Sequence, residues 1–313
     1  MMNKNSKIVV MGAGAVGTYF GGLLARAGRD VTLIARPHHV QAIGKKGLFI
    51  ESESFQDYVP IQASAELEVI YAADIILLCV KSPDTEKVIQ DIKPYLKSNA
   101  VILSLQNGVD NAARVRSLVN NSAFSTVVYV AVGMVGPGHV KHFGRGELEL
   151  GVETENHSSN DVQLVHELAD FLSASNIPTT VSQNIEKNLW IKFLINCSYN
   201  GISAIGYMQY GQIDKVKEVN QLIDGITQEV LAIAKARGIY ISYDEAVKAN
   251  KQIPLTMSQQ ISSTARDISR GKPTEIEYLN GLIVREGQRL GIPTPTNLAI
   301  YALVKMLETK IIK

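Results

Sequence analysis

Residues 12–17 of this chain read Gly12-Ala13-Gly14-Ala15-Val16-Gly17, between a short β-rich run at 7–11 (KIVVM) and a helical run at 15–27 that Gly28 closes. No other feature constrains the fold as much. A G-x-G-x-x-G loop after a strand and before a helix is the turn that opens a βαβ nucleotide-binding unit. The first glycine permits the tight turn, the second lets the backbone approach a pyrophosphate, and the third allows close helix–strand packing. The start of the helix adds oriented N–H donors. All six residues, Gly12, Ala13, Gly14, Ala15, Val16 and Gly17, are therefore candidate contacts to a dinucleotide.

The rest of the first half supports an α/β reading. A second strand runs over 31–35, and the continuous apolar runs DIILLCV (74–80) and AVILSL (100–105) suit strands buried on both faces of a parallel sheet. Helical character is expected over 84–96. Further strands are expected over 123–150 with a turn at Gly136-Pro137-Gly138, then a polar loop over 153–161 and a last strand near 179–181. From about residue 183 only helical patterns appear, at 185–205, 213–237, 256–270, 274–290 and 296–310. The expected fold class is α/β: an N-terminal Rossmann-type dinucleotide-binding domain over 1–182, then an all-helical C-terminal domain over 183–313. A ligand is expected in the cleft between them.

Composition sets outer limits. At 313 residues the chain can build two cores, and its net charge of +1 gives no reason to expect a nucleic acid or an anionic membrane as partner. Cys79 and Cys197 sit in apolar runs and read as reduced core residues. No apolar run approaches the roughly 20 residues needed to span a bilayer. The early first strand leaves no room for a signal peptide, so a soluble, cytoplasmic protein is expected. No metal is expected, and a homodimer is left open.

The second strand bears on cofactor choice. NAD sites usually place Asp or Glu at its end to bind the ribose 2′-hydroxyl. Here the strand ends Leu33-Ile34-Ala35-Arg36, no acid follows until Glu51, and Asp30 stands at the wrong end. Arg36 can pair with a 2′-phosphate, so NADP (as NADPH) is the expected cofactor; a solvated surface arginine is the plainer alternative. Lys81 follows one buried run and Asn107, in Gln106-Asn107-Gly108, follows the other. Both fall where doubly wound sheets bind ligands, beyond the carboxyl ends of strands. Lys81 there could contact ribose or phosphates, and Asn107 could orient the nicotinamide or the substrate.

The helix at 185–202, IEKNLWIKFLINCSYNGI, is apolar around most of its circumference, yet Asn188, Lys192, Asn196 and Asn200 recur every fourth residue and stack in one stripe. Burying an ammonium and several amides costs a few kcal/mol unless something polar meets them. A ligand is the expected partner, and Lys192 is the leading candidate for chemistry. Further on, Thr274-Glu275-Ile276-Glu277 reads as a capping box, with Thr274 as N-cap, Glu277 reaching back and Glu275 spare. Ser262-Ser263-Thr264 reads as lying within a helix, where hydroxyls commonly bond back to the backbone.

Together these segments resemble the ketopantoate reductase (2-dehydropantoate 2-reductase) family over nearly the whole chain. The matching pieces are GAGAVG, Val80-Lys81, Gln106-Asn107-Gly108, GPGHVKHFGRGELELG at 136–151, LWIKFLINCSYN and SSTARDISRGKPTEIEYLNG. The resemblance implies NADPH-dependent reduction of 2-dehydropantoate, a small-molecule 2-oxo acid, to (R)-pantoate in pantothenate and coenzyme A biosynthesis. It puts the proton-donating lysine on Lys192 and the substrate-binding residues on Asn196, Asn200 and Ser263. The catalytic and ribose-side glutamate falls on Glu275, and the cofactor lysine and asparagine on Lys81 and Asn107, with Asn107 also reaching substrate. Three positions depart from the pattern: Gly201 where relatives often have proline, Gln260 where some have asparagine, and Tyr210 where another substrate-binding asparagine can stand. The alternatives are a related NADPH-dependent reductase of another 2-oxo acid and a non-catalytic NADP(H)-binding protein. Against the latter stands Lys192, because a sensor needs no buried proton donor.

Overall fold

The computed structural model describes residues 3, 5–153 and 158–310. The chain divides into two compact units, Met1–Ile185 and Glu186–Lys313. The N-terminal unit runs β1 (Ile8–Met11), α1 (Ala15–Arg26), β2 (Val31–Ile34), α2 (Pro37–Lys46), β3 (Leu48–Glu51), β4 (Gln56–Val59), β5 (Gln62–Ser64) and β6 (Ile75–Leu78). It continues with α3 (Thr85–Ile92), β7 (Val101–Ser104), α4 (Asn111–Arg116), β8 (Ala123–Gly136), β9 (His139–Gly151), α5 (Ser159–Ser173) and β10 (Thr179–Val181).

Six of these strands lie side by side in the order β5-β2-β1-β6-β7-β8, and every neighbouring pair is parallel. Numbered along the chain this is the 3-2-1-4-5-6 arrangement of doubly wound nucleotide-binding sheets. Beyond β8 the sheet turns mixed: β9 pairs antiparallel to it through the turn at Pro137 and Gly138, and β3, β4 and β10 extend the far side. The alternating side chains of β6 explain its continuous apolar run. Ile75 and Leu77 join one core cluster with Phe20 and Leu24 of α1. Ile76 and Leu78 join a second with Ile89 and Ile92 of α3 and Val115 of α4. Both faces of the sheet are covered by helices, as parallel sheets require.

The C-terminal unit has no strand among its described residues and is built of helices: α6 (Ile185–Gly206), α7 (Tyr210–Ile213), α8 (Lys217–Ala236), α9 (Tyr243–Thr256), α10 (Ser263–Ser269), α11 (Asn280–Leu290) and α12 (Pro295–Thr309). Several expectations need correction. The segment 256–270 is not one helix, because α9 ends at Thr256, the chain runs irregularly to Ser262, and only α10 is helical. The start of α9 is marked by a capping box in which Ser242 and Glu245 bond each other's backbone amides, and Pro254 in its last turn hid the period. The helix expected at 213–237 is α8, which begins four residues later because Ile213 closes the short α7, and helix 84–96 ends at Ile92 in a 3-10 turn that contains Pro94. The polar stretch 153–161 lies in part outside the described residues, at 154–157. Its end is no loop: Ser158 and Asp161 form the capping box of α5.

The capping box expected at Thr274 is absent. Thr274 is followed by a 3-10 turn, Ile276–Tyr278, before α11 begins. The Thr274 hydroxyl accepts the Ile276 amide at 3.2 Å and donates to Glu308 Oε1 at 2.7 Å. Glu277 points elsewhere, to Arg285 and the Tyr301 hydroxyl. A buried carboxylate on α12 therefore takes the place expected for Glu277, a long-range partner that local spacing cannot reveal.

Candidate active site

The glycine loop has the shape its sequence demands. Gly12 adopts φ +101°, and a Cβ there would sit 2.8 Å from Val80 Cγ1 and 2.9 Å from Val80 N. At Gly17 a Cβ would lie 2.4 Å from the Gly12 carbonyl and 2.9 Å from Cys79 Cβ, so α1 rests directly against the strands. Gly14 is different: nothing lies within 4 Å of its Cβ position. It is also the N-cap of α1, with no side-chain cap and no acid in the first turn. The loop thus offers open space in front of amide donors at a positive helix end, which fits a pyrophosphate. The Cys79 thiol is held well above its ordinary value by burial, so it acts as packing beneath Gly17 rather than as a nucleophile.

Arg36 is the N-cap of α2, two residues past β2. Its side chain is exposed and pairs with no carboxylate among the described residues. Lys81 and Asn107 follow β6 and β7, neighbours in the sheet. Buried polar side chains join the two loops. Gln106 Nε2 donates to the Val80 carbonyl (3.1 Å) and to Thr85 Oγ1 (2.7 Å), and Thr85 donates to Asn111 Oδ1 (3.2 Å). Asn111 Nδ2 and Ser82 Oγ both donate to the Asn107 carbonyl, each at 2.7 Å. Sequence reasoning missed Ser82, Thr85 and Asn111. Their signal was a cluster of polar residues just past two buried strands, which alone reads as turn chemistry.

In the C-terminal unit the stripe on α6 exists as spaced. Asn188, Lys192 and Asn196 are half-buried, and Asn200 is only 4 % exposed. Leu194 and Cys197 on the same helix are fully buried. Neither the Asn196 nor the Asn200 side chain has a hydrogen-bond partner among the described residues. No amide atom of Asn196 or Asn200 is both sealed from solvent and unpartnered, so these amides keep the access a ligand would need to bond them.

Ser262, the N-cap of α10, joins that helix to α6. Its amide donates to Ser203 Oγ at 3.1 Å and its hydroxyl to the Asn200 carbonyl at 3.0 Å. Ser262 and Ser263 therefore start a helix rather than lying inside one, and Ser263 is exposed in the first turn. Glu275 is the half-buried N-cap of the 3-10 turn. The Gly201 departure has a packing cause: a Cβ there would lie 2.3 Å from Ile300 Cγ2 of α12. Among the described residues no cluster of His, Cys, Asp or Glu could hold a metal, and no helix is long and apolar enough to cross a membrane.

A doubly wound sheet with an open glycine loop, joined to a helical unit bearing a lysine–amide stripe, defines a dinucleotide-binding α/β protein equipped for chemistry on a small polar ligand. Comparison with known proteins gives the family. The description "Ketopantoate reductase PanE/ApbA" matches residues 8–154 and its C-terminal counterpart residues 184–308. The chain belongs to the ketopantoate reductase family and is an oxidoreductase of the dinucleotide-dependent kind. It is 31% identical over 304 residues to 2-dehydropantoate 2-reductase of Pyrococcus horikoshii, covering 97% of this chain and 98% of that one. The crystal structure of a PanE/ApbA family ketopantoate reductase from Ralstonia eutropha JMP134 superposes with a TM-score of 0.90 at 44% identity, over 98% of this chain and 100% of that chain. A ternary structure of D-mandelate dehydrogenase with NADH and anilino(oxo)acetate gives a TM-score of 0.91 at 28% identity, over 98% and 100%.

Proposed function

We propose that the protein reduces 2-dehydropantoate to (R)-pantoate with NADPH, the step that leads to pantothenate and coenzyme A. Residues 1–182 would hold the cofactor and 183–313 the substrate and the proton donor. The observation that carries this reading is the α6 stripe: Lys192 followed one and two turns on by the unpartnered amides of Asn196 and Asn200. Bound NADPH supplies a hydride. The chain's residues do the remainder. The loop 12–17 binds the pyrophosphate, Arg36 pairs with the 2′-phosphate, Lys81 contacts ribose or phosphate, and Asn107 and Glu275 orient the reacting end.

Reduction of a ketone develops negative charge on its oxygen. The Lys192 ammonium stabilises that charge and delivers the proton to the same oxygen, and a positioned acid of this kind contributes typically about 10²–10⁴-fold. Asn196, Asn200 and Ser263 donate to the carboxylate and hydroxyl of the substrate and hold one face of the carbonyl for attack. Two free cysteines, Cys79 and Cys197, suit a reducing, cytoplasmic setting.

The test is Lys192→Met, which keeps most of the stem and removes the charge. NADPH affinity and melting temperature should hold, while kcat falls by about a hundredfold or more. A variant with near-native kcat removes Lys192 from the chemistry. A second reading, turnover of another 2-oxo acid, is favoured by the likeness to a D-mandelate dehydrogenase bound to anilino(oxo)acetate. It is also favoured by Tyr210, at a position that can carry a substrate-binding asparagine, and by Gln260, where the family resemblance puts asparagine in some members.

A further inference from the structure

Asn280 opens α11, five residues past Glu275, and is fully buried. Its Nδ2 donates to two acceptors, the Cys197 carbonyl of α6 at 3.0 Å and Asn297 Oδ1 of α12 at 2.9 Å. Asn297 is buried as completely, and its own Nδ2 donates to Glu229 Oε2 of α8 at 2.7 Å. The Glu229 carboxylate also accepts the Thr296 and Asn297 amides, at 2.7 and 2.9 Å, and so caps the first turn of α12. Through these side chains α6, α8, α11 and α12 are bonded to one another.

The chain of bonds has one direction. A carboxylate only accepts, so Asn297 must turn its Nδ2 toward Glu229 and its Oδ1 toward Asn280. Between that oxygen and the Cys197 carbonyl, Asn280 must present N–H groups, and among uncharged side chains only an amide offers two on one atom. The requirement leaves a penalty. Asn280 Oδ1 is sealed from solvent with no hydrogen-bond partner among the described residues. A buried orphan acceptor destabilises a fold, so stability alone does not account for an asparagine here.

Packing around it points the same way. A Cβ on Gly281 would lie 3.0 Å from Tyr301 Cε2 of α12 and 3.2 Å from the Ile276 carbonyl. On α6, the Cβ position of Gly201 is 3.7 Å from Ile276 Cδ1. The two glycines thus let α6 and α11 close on the 3-10 turn that Glu275 opens.

We propose that Asn280 is a positioning residue: it fixes α6, with Lys192, Asn196 and Asn200, against the turn that carries Glu275, and Glu229 sets its direction through Asn297. The assignment rests on the reductase reading above and adds to it a fully buried residue that acts only through others. A directed bond to a backbone carbonyl holds a helix in one register, which apolar contacts alone do not. The register matters because misplacing a reacting group by about 1 Å can cost about a hundredfold in rate.

The test uses Asn280→Leu, which keeps the volume and removes both donors, and Glu229→Gln, which keeps the shape at the far end and removes the charge. Calorimetry reads ketopantoate binding to the protein loaded with NADP⁺, where no turnover occurs, and NADPH oxidation reads kcat. Asn280→Leu should weaken ketopantoate and lower kcat, each by about tenfold or more, with NADPH affinity unchanged. Glu229→Gln should shift both in the same direction by less, and it carries the test alone if Asn280→Leu does not fold. Since the two act along one chain of bonds, the double variant should be no worse than Asn280→Leu. Lower melting temperatures with native ketopantoate affinity and native kcat would make the role merely structural and overturn the assignment. Losses that multiply in the double variant, or a Glu229→Gln protein with native values, would overturn the direction given to Glu229. A native protein that binds ketopantoate yet never oxidises NADPH defeats the reductase reading, and the binding ratios then decide the role of Asn280.

Discussion

Gly14 and Gly17 lie one helical turn apart in the same loop, yet an added methyl meets opposite surroundings. At Gly17 it would be driven into the Gly12 carbonyl and Cys79, backbone and core atoms that cannot yield. At Gly14 it would enter open space, and the backbone there, φ −75° and ψ −171°, suits alanine. The expected outcomes separate folding from binding. Gly17→Ala should lower the melting temperature and NADPH affinity together, with a stability loss of about 1–3 kcal/mol. Gly14→Ala should leave the melting temperature within about 2 °C, since a surface change away from special features usually stays within about 0.5 kcal/mol. Its NADPH affinity should fall at least about tenfold, because the new methyl takes the space in which a pyrophosphate would approach the amides. Thermal melts with and without NADPH check both. Equal affinity in Gly14→Ala would show that the dinucleotide does not lie against this loop.

At the scale of elements, the junction between the 3-10 turn at Ile276–Tyr278 and α12 rests on one buried carboxylate. Burial raises the Glu308 carboxyl, but the Lys305 ammonium at 2.8 Å and the Thr274 hydroxyl and amide outweigh it, and the group is held below its ordinary value. A depressed folded value means stability present above the unfolded value, near 4.3, and lost as the pH falls through the folded one. Glu308→Gln should therefore cost about 1 kcal/mol at neutral pH, where a charged acceptor becomes neutral. The gap between native and variant in urea melts should close as the pH is lowered below about 4; a gap that persists in acid would contradict the role given to the charge. This junction also marks where the sequence stops being readable. The β6 and β7 runs were legible because both faces of those strands are buried, and the α6 stripe because helical spacing is local. Thr274 misled, since Thr-x-x-Glu is a local signature while its true partner lies 34 residues on, at Glu308. The strands β3 to β5 escaped notice because they are three or four residues long: β3 alternates buried and half-buried over only four positions, and β4 and β5 are largely exposed. The Gln106–Thr85–Asn111 bonds join residues more than twenty apart, and no periodicity announces them.

At the scale of the whole molecule, the glycine loop, the placement of Arg36 and the amide stripe belong to two separate units of one chain, and a single reaction would use all three. On the proposed reading, the N-terminal unit would carry the choice between NADPH and NADH, since Arg36 stands where an NAD site usually carries an acid. The C-terminal unit would carry the choice of acid. A pocket that bonds the terminal hydroxyl of ketopantoate should discriminate against 2-oxoisovalerate, which lacks the hydroxymethyl group and would leave buried donors unpaired. The most direct measurement is therefore steady-state oxidation of NADPH and of NADH by the native protein with ketopantoate, beside 2-oxoisovalerate and an aromatic 2-oxo acid. The expected result is rapid turnover with NADPH, slower with NADH, and kcat/KM for ketopantoate at least about tenfold above that for 2-oxoisovalerate. NADPH that binds but is oxidised by none of these acids would contradict the assignment as a reductase, and equal turnover of the two aliphatic acids would contradict ketopantoate as its substrate.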